Sequence, residues 1–132
     1  MRSTDALLKG VHVLIVDDDA RNTFALSSYL ETMGMHISTA GNGFEAIAFL
    51  ARQQPADIIL MDMMMPEMDG YEAIEKIKAH PAISGIPIIA VTAKAMKGDR
   101  EKCLLAGAAD YVSKPVNMQE LQEKMAALLH PY

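Results

Sequence analysis

The sequence predicts a doubly wound α/β fold, and three observations carry that prediction. Short apolar runs alternate from end to end with segments whose apolar residues fall at helical spacing. Glycine and proline punctuate the junctions between them. Four of the runs stop at a polar side chain: Val13-Leu14-Ile15-Val16 before Asp17-Asp18-Asp19, Ile58-Ile59-Leu60-Met61 before Asp62, Ile86 to Val91 before Thr92, and Tyr111-Val112 before Ser113-Lys114-Pro115. Near-continuous apolar strands are what a parallel sheet covered by helices on both faces requires.

The elements follow in order. Val11 to Val16 reads as a strand buried on both faces. Ala20 to Met33 carries Phe24, Leu26, Tyr29, Leu30 and Met33 mostly at helical spacing, and Gly34 stands where a left-handed C-cap ends a helix. His36 to Ala40 is the second strand and Gly41-Asn42-Gly43 a turn. Phe44, Ile47, Ala48 and Leu50 mark a second helix that stops before Pro55. Asp57 to Met61 is the third strand. Met63 to Gly70 is a loop, leading to a helix with Tyr71, Ile74 and Ile77. Pro81 to Pro87 connects to a fourth strand over Ile88 to Val91. Lys97 to Ala106 is helical and capped by Gly107, and Asp110 to Val112 is a short fifth strand. Pro115 breaks the chain, and Asn117 caps a last helix with Leu121, Met125, Leu128 and Leu129 inward. Five βα units result, with right-handed crossovers placing helices on both faces.

Composition limits the function classes. A chain of 132 residues, 51% hydrophobic and 22% charged, fits one globular domain with its own core. A net charge of −5 without any basic cluster argues against nucleic acid as a direct partner. Cys103 is the only cysteine, which excludes an intrachain disulfide or a cysteine zinc site and fits a reducing cytoplasm. No apolar stretch reaches the roughly 20 residues of a membrane helix, and Met1 to Gly10 is too polar for a signal peptide. The expectation is a soluble cytoplasmic domain without membrane contact of its own, whether or not a parent protein is anchored. It is divided into a lead-in or linker over 1–10 and the domain proper over 11–130. The sequence leaves the oligomeric state open: a monomer is one reading, and dimerisation through the face of the fourth helix is another that no residue supports.

In a doubly wound sheet ligands sit outside the carboxyl ends of the strands. That edge gathers Asp17, Asp18, Asp62, Thr92 and Lys114. Clustered carboxylates repel one another unless a cation intervenes, and hard oxygen donors at this density suit Mg²⁺. A carboxylate nucleophile attacking phosphorus needs charge neutralisation from a metal and a lysine. Lys114 precedes Pro115, which restricts the backbone beside it. The Thr92 hydroxyl can donate to a phosphoryl oxygen.

Four segments together resemble the response-regulator receiver, or CheY-like, domain of two-component signalling. They are Val16-Asp17-Asp18-Asp19, Leu60 to Gly70 with Asp62 and Pro66, Val91-Thr92, and Asp110 to Pro115. The resemblance spans about Val11 to Leu129. It implies a flavodoxin-like fold of five parallel strands in the order 2-1-3-4-5 with five helices. It implies that Asp62 is the phosphoacceptor, taking a phosphoryl group from a phosphohistidine of a histidine kinase or histidine phosphotransfer domain. Asp18 and Asp62 would bind Mg²⁺ (or Mn²⁺) directly, Met64 through its backbone carbonyl and Asp17 largely through water. Thr92 would be the switch hydroxyl, Lys114 the counter-ion of the phosphate, and Tyr111 the aromatic switch. Met64 and Lys94 would flank the pocket and tune the lifetime of the acyl phosphate. Such a domain supports its own phosphorylation and dephosphorylation without being an enzyme.

Plainer roles claim other residues. Asp19 reads as a helix cap and Asp69 as turn chemistry. The methionines, eleven in all, read as adaptable packing, as does Cys103. His12, His36, His80 and His130 stand apart from every motif. A haloacid-dehalogenase-type phosphatase would use Asp17 and Asp19, but it needs an acidic pair after the lysine, and only Glu120 and Glu123 follow Lys114. Arg21 also stands where that motif has a small β-branched residue. A flavodoxin-like cofactor carrier would set three aspartates against its phosphate. Leu7 to Val16 and Thr92 to Asp99 resemble receivers of hybrid histidine kinases. The expectation is therefore a hybrid-kinase receiver, whose parent would be a histidine kinase, with a stand-alone single-domain regulator as the alternative. No output domain is expected within these residues.

Overall fold

The computed structural model describes residues 4–93 and 98–130. Its elements are α1 (Thr4–Leu8), β1 (His12–Val16), α2 (Ala20–Thr32), β2 (His36–Ala40), α3 (Gly43–Ala51), β3 (Ile58–Asp62), α4 (Gly70–Lys78), β4 (Ile88–Thr92), α5 (Asp99–Ala106), β5 (Asp110–Ser113) and α6 (Met118–Leu129). The five strands form one sheet in the order β2-β1-β3-β4-β5, parallel throughout. The doubly wound α/β class and the 2-1-3-4-5 order are as expected. The helix count differs, because the lead-in also forms a helix, α1, which packs on α6. Its Leu8 is fully buried, and His130, at the end of α6, lies 2.9 Å through Nε2 from the Leu7 carbonyl. Leu8, with Leu7 packed beside it, ties this otherwise polar lead-in to the core.

Strand alternation explains the apolar runs. In β1, Leu14 and Val16 join a core shared with Ala46 and Leu50 of α3 and Ile74 and Ile77 of α4. Val13 and Ile15 point the other way, into a core shared with Leu26 and Leu30 of α2 and Leu121 and Met125 of α6. The same split divides Ile59 and Met61 from Ile58 and Leu60 in β3. Each side chain buried in this way contributes roughly 1.5–3 kcal/mol. β2 is an edge strand and is the least apolar of the first four, with only Ala40 buried.

The helix starts are capped by side chains the sequence singled out. Asp19, Asn42, Asp69 and Asn117 each accept a hydrogen bond from a first-turn amide. Gly34 and Gly107 hold the positive φ values that end their helices. Cys103 is buried in the first of the two cores, consistent with packing. Phe24 and Phe44 depart from the amphipathic reading. They are 74% and 56% exposed, because Leu26 and Leu30, and Ala46 and Leu50, already fill the inward faces of α2 and α3.

Candidate functional site

The sheet carries β1, β3 and β4 side by side, so Asp17, Asp62 and Thr92 emerge at one edge. The register sets Val16 opposite Met61 and Asp62 opposite Val91. One carboxylate oxygen from each of Asp17, Asp18 and Asp62 lies within 4.8 Å of the others. Asp17 and Asp62 are buried while Asp18 is exposed, so the cluster opens to solvent through Asp18. The backbone helps to hold it. The Asp19 amide donates to Asp17 Oδ1 at 2.8 Å, and the Met64 amide donates to Asp62 Oδ1 at 3.1 Å.

Lys114 reaches the cluster from the end of β5. Its amide donates to the Thr92 carbonyl at 2.6 Å, which lays the last residue before Pro115 against the end of β4. Its Nζ then lies 3.5 Å from Asp62 Oδ1 and 3.7 Å from Asp17 Oδ2. One cation thus serves two buried carboxylates. Burial pushes the Asp62 carboxyl above the usual carboxylate range, and the neighbouring Asp17 charge adds to this; the Met64 amide and Lys114 oppose it. A further positive charge at the cluster would remove the conflict. Thr92 is 3% exposed, and its Oγ1 is buried without a hydrogen-bond partner among the described residues. A buried hydroxyl in that condition is a donor held ready for an acceptor.

Asp19 leaves the cluster: its carboxylate accepts from the Arg21 amide and lies 3.5 Å from Arg21 Nε, which holds it below the usual range. Met64 stands beside Asp62 with its side chain 68% exposed. Tyr111 is half-buried and packs on the core, with Lys124 Nζ 5.0 Å from its ring centroid and 2.5 Å from its carbonyl. Lys94 lies outside the described residues. Glu120 and Glu123 sit exposed on α6, so the acidic pair a phosphatase would need is not at this edge. His12 and His36 stack at 4.8 Å at the opposite ends of their strands.

Two features escaped the sequence. Gly70 is more than a turn residue: a Cβ there would lie 2.6 Å from Met63 Cα and 2.7 Å from the Asp62 carbonyl oxygen. Only glycine lets α4 start this close beneath Asp62. Phe24 is the other, since it lines a cleft of about 420 Å³ together with Asp17, Asp18 and Thr39. A cavity of about 600 Å³, lined by Ile47, Leu50, His80 and Ile83 among others, shares no residue with the acidic cluster.

Comparison with known proteins places this geometry. The model of the response regulator receiver domain matches residues 13–126. The signal transduction histidine-protein kinase BarA of Escherichia coli K12 is 42% identical over 118 residues, covering 89% of this chain and 13% of BarA. The chain therefore spans a small part of that relative. A crystal structure of the receiver domain of sensor histidine kinase PA1611 from Pseudomonas aeruginosa PAO1, with magnesium coordinated in its active site cleft, is 38% identical with a TM-score of 0.82. It covers 91% of this chain and 98% of that one. The Saccharomyces cerevisiae receiver of Ssk1, solved with the histidine phosphotransfer protein Ypd1, matches at 30% identity and a TM-score of 0.83 over 92% and 90% of the two chains.

Proposed function

The chain belongs to the response regulator receiver domain family of two-component signalling, and from that premise we propose that it is a switch set by phosphorylation of Asp62. The observation that carries the reading is the juxtaposition at one sheet edge. A buried carboxylate with raised proton affinity, two further carboxylates, one shared lysine and one orphaned hydroxyl meet there.

In this reading the Asp62 carboxylate attacks the phosphorus of a phosphohistidine. The new O–P bond forms as the P–N bond breaks, and its electron pair returns to the imidazole. Asp17, Asp18 and Asp62 would hold Mg²⁺, with the Met64 carbonyl beside them; PA1611 holds magnesium in the corresponding cleft. When bound, Mg²⁺ supplies positive charge against the phosphoryl oxygens and the carboxylates. Lys114, already 3.5 Å from Asp62, pairs with the phosphoryl group as it arrives. The Thr92 hydroxyl donates to a phosphoryl oxygen and gains the partner it lacks. Tyr111 then moves inward, and the face of α5, β5 and α6 changes its affinity for partners.

The phosphodonor is a histidine kinase or a histidine phosphotransfer domain, as the Ypd1–Ssk1 complex illustrates for a similar receiver. Similarity to the receivers of BarA and PA1611 favours a place within a hybrid sensor kinase, with a stand-alone regulator as the alternative. The test is incubation with Mg²⁺ and acetyl phosphate, read by intact mass. The wild type gains one phosphoryl group; Asp62→Asn gains none, and chelating the metal abolishes uptake. Equal uptake by Asp62→Asn would overturn the assignment.

A further inference from the structure

β3 and β4 end in the site residues Asp62 and Thr92, and the chain runs on from each into a helix. Those helices, α4 and α5, are tied together at their first turns. The Tyr71 hydroxyl, one residue into α4, donates to Asp99 Oδ1, the first residue of α5, at 2.6 Å. Asp99 Oδ2 is buried and has no hydrogen-bond partner among the described residues. The Lys102 Nζ sits 4.4 Å above the Tyr71 ring and holds it from the outer side. Burial, and then Asp99, push the Tyr71 hydroxyl well above its usual range, so it stays a donor.

α5 also differs from the other long helices in how it starts. α2, α3, α4 and α6 are each capped by their own Asp or Asn. α5 begins at Gly98, with a left-handed backbone and no side-chain cap bond. Asp99 has the chemistry to serve the free amides of its own first turn but reaches across to α4 instead. The start of α5 is thus held by another element.

The two sides of the tie differ in rigidity. α4 is fixed beneath the phosphoacceptor: the Gly70 amide donates to the Met63 carbonyl at 3.3 Å, and Gly70 admits no side chain. α5 follows the strand that ends in Thr92, whose hydroxyl has no hydrogen-bond partner among the described residues. A tie between a fixed helix and the helix downstream of Thr92 opposes their relative displacement. Opening it would strand a buried carboxylate.

We propose that Tyr71 and Asp99 are positioning residues, a latch that restrains the β4–α5 side of the site in the arrangement where Thr92 is unpartnered and so limits phosphoryl uptake by Asp62. The proposal rests on the phosphoswitch reading above. Uptake proceeds through the arrangement in which Thr92 is drawn toward the phosphoryl group, and a bond made only in the other arrangement lowers the population of that one.

The experiment measures the initial rate of uptake from acetyl phosphate with Mg²⁺ by intact mass for wild type, Tyr71→Phe, Asp99→Ala and the double variant. Mg²⁺ affinity is measured by calorimetry on each. Tyr71→Phe keeps the ring under Lys102 and removes only the hydroxyl. Both single variants are expected to take up phosphoryl faster by roughly tenfold, the change that one charge-assisted hydrogen bond carries in a two-state equilibrium. The double variant is no faster than the quicker single one, and Mg²⁺ affinity is unchanged, which general loosening of the fold would not produce. Rates within twofold of wild type, slower rates, or additive effects would overturn the latch while leaving the phosphoswitch intact. A wild type that takes up no phosphoryl group would overturn both.

Discussion

Replacing Asp62 by asparagine removes one charge from the cluster while keeping the shape and an acceptor, though a weaker one, for the Met64 amide. Asp62 and Asp17 are at most 4.8 Å apart, which at an effective dielectric of about 20 is a repulsion of about 3.5 kcal/mol. Lys114, 3.5 Å away, returns about 5 kcal/mol of attraction on the same scale. Desolvation of a buried ion costs several kcal/mol more, and exposed, well-screened Asp18 adds a small repulsion. The balance is a cost on the order of 2 kcal/mol for ionised Asp62 without metal. The lysine is not orphaned by the change, because Asp17 remains 3.7 Å away. Asp62→Asn is therefore expected to raise the free energy of unfolding at pH 7 in chelator by about 2 kcal/mol, and the Tm by roughly 6–10 °C for a domain of this size. The pH dependence follows in sign. The folded carboxyl holds its proton to higher pH than the unfolded one, so the wild type loses stability as pH rises from about 4, the unfolded value, to the raised folded value. The variant does not, and the two curves converge below pH 4. Mg²⁺ stabilises the wild type more than the variant and narrows the gap. Urea titrations with and without chelator measure all three. A variant less stable than wild type in chelator at pH 7 would refute the claim that Asp62 sits in an electrostatically strained position.

Two further outcomes test the periphery. Leu8→Ala, at a fully buried position of α1, is expected to lower stability by roughly 2–5 kcal/mol in urea unfolding, as for other leucines emptied from a core. A loss under about 0.5 kcal/mol would mean that the lead-in docks without stabilising the domain. Phe24→Ala, on an exposed face beside the acidic cleft, is expected to leave stability and acetyl phosphate uptake unchanged while slowing transfer from a phosphohistidine protein by roughly tenfold, the loss of one aromatic anchor at an interface. Transfer assays with both donors separate a docking role from a chemical one.

What is legible in the sequence is whatever local chemistry dictates. Continuous apolar strands ending in polar residues specify a parallel sheet and a polar edge; the structure sets Asp17, Asp18, Asp62 and Lys114 together there, with Thr92 at the end of the neighbouring strand. Asp19 is legible as a cap, because Asp before a helix satisfies an amide wherever it stands. What was illegible depends on contacts between distant segments. The periodicity of α2 and α3 could not say that Phe24 and Phe44 face solvent, since the inward positions were already filled. Gly70 looked like turn chemistry because its neighbour, the backbone of Met63, is visible only after folding. The Tyr71–Asp99 bond joins residues 28 apart that belong to no common motif.

The energetics of the site and its proposed role have one origin. A protein selected only for stability would pair each buried carboxylate and satisfy each buried hydroxyl. Here Asp17 and Asp62 share one lysine, and Thr92 Oγ1 has no partner among the described residues. Both deficits lie at the same sheet edge and call for opposite chemistry: the carboxylates lack a cation, and the hydroxyl lacks an acceptor. A divalent cation together with a phosphoryl group on Asp62 answers both at once, and neither alone does. A metal without phosphate leaves Thr92 unpartnered. Phosphate without metal adds negative charge to carboxylates that one lysine already serves poorly. The two apolar cores on either face of the sheet supply the stability that lets this edge stay unsatisfied, and in the proposed switch the unsatisfied edge is what would let a phosphoryl group shift the fold between two arrangements.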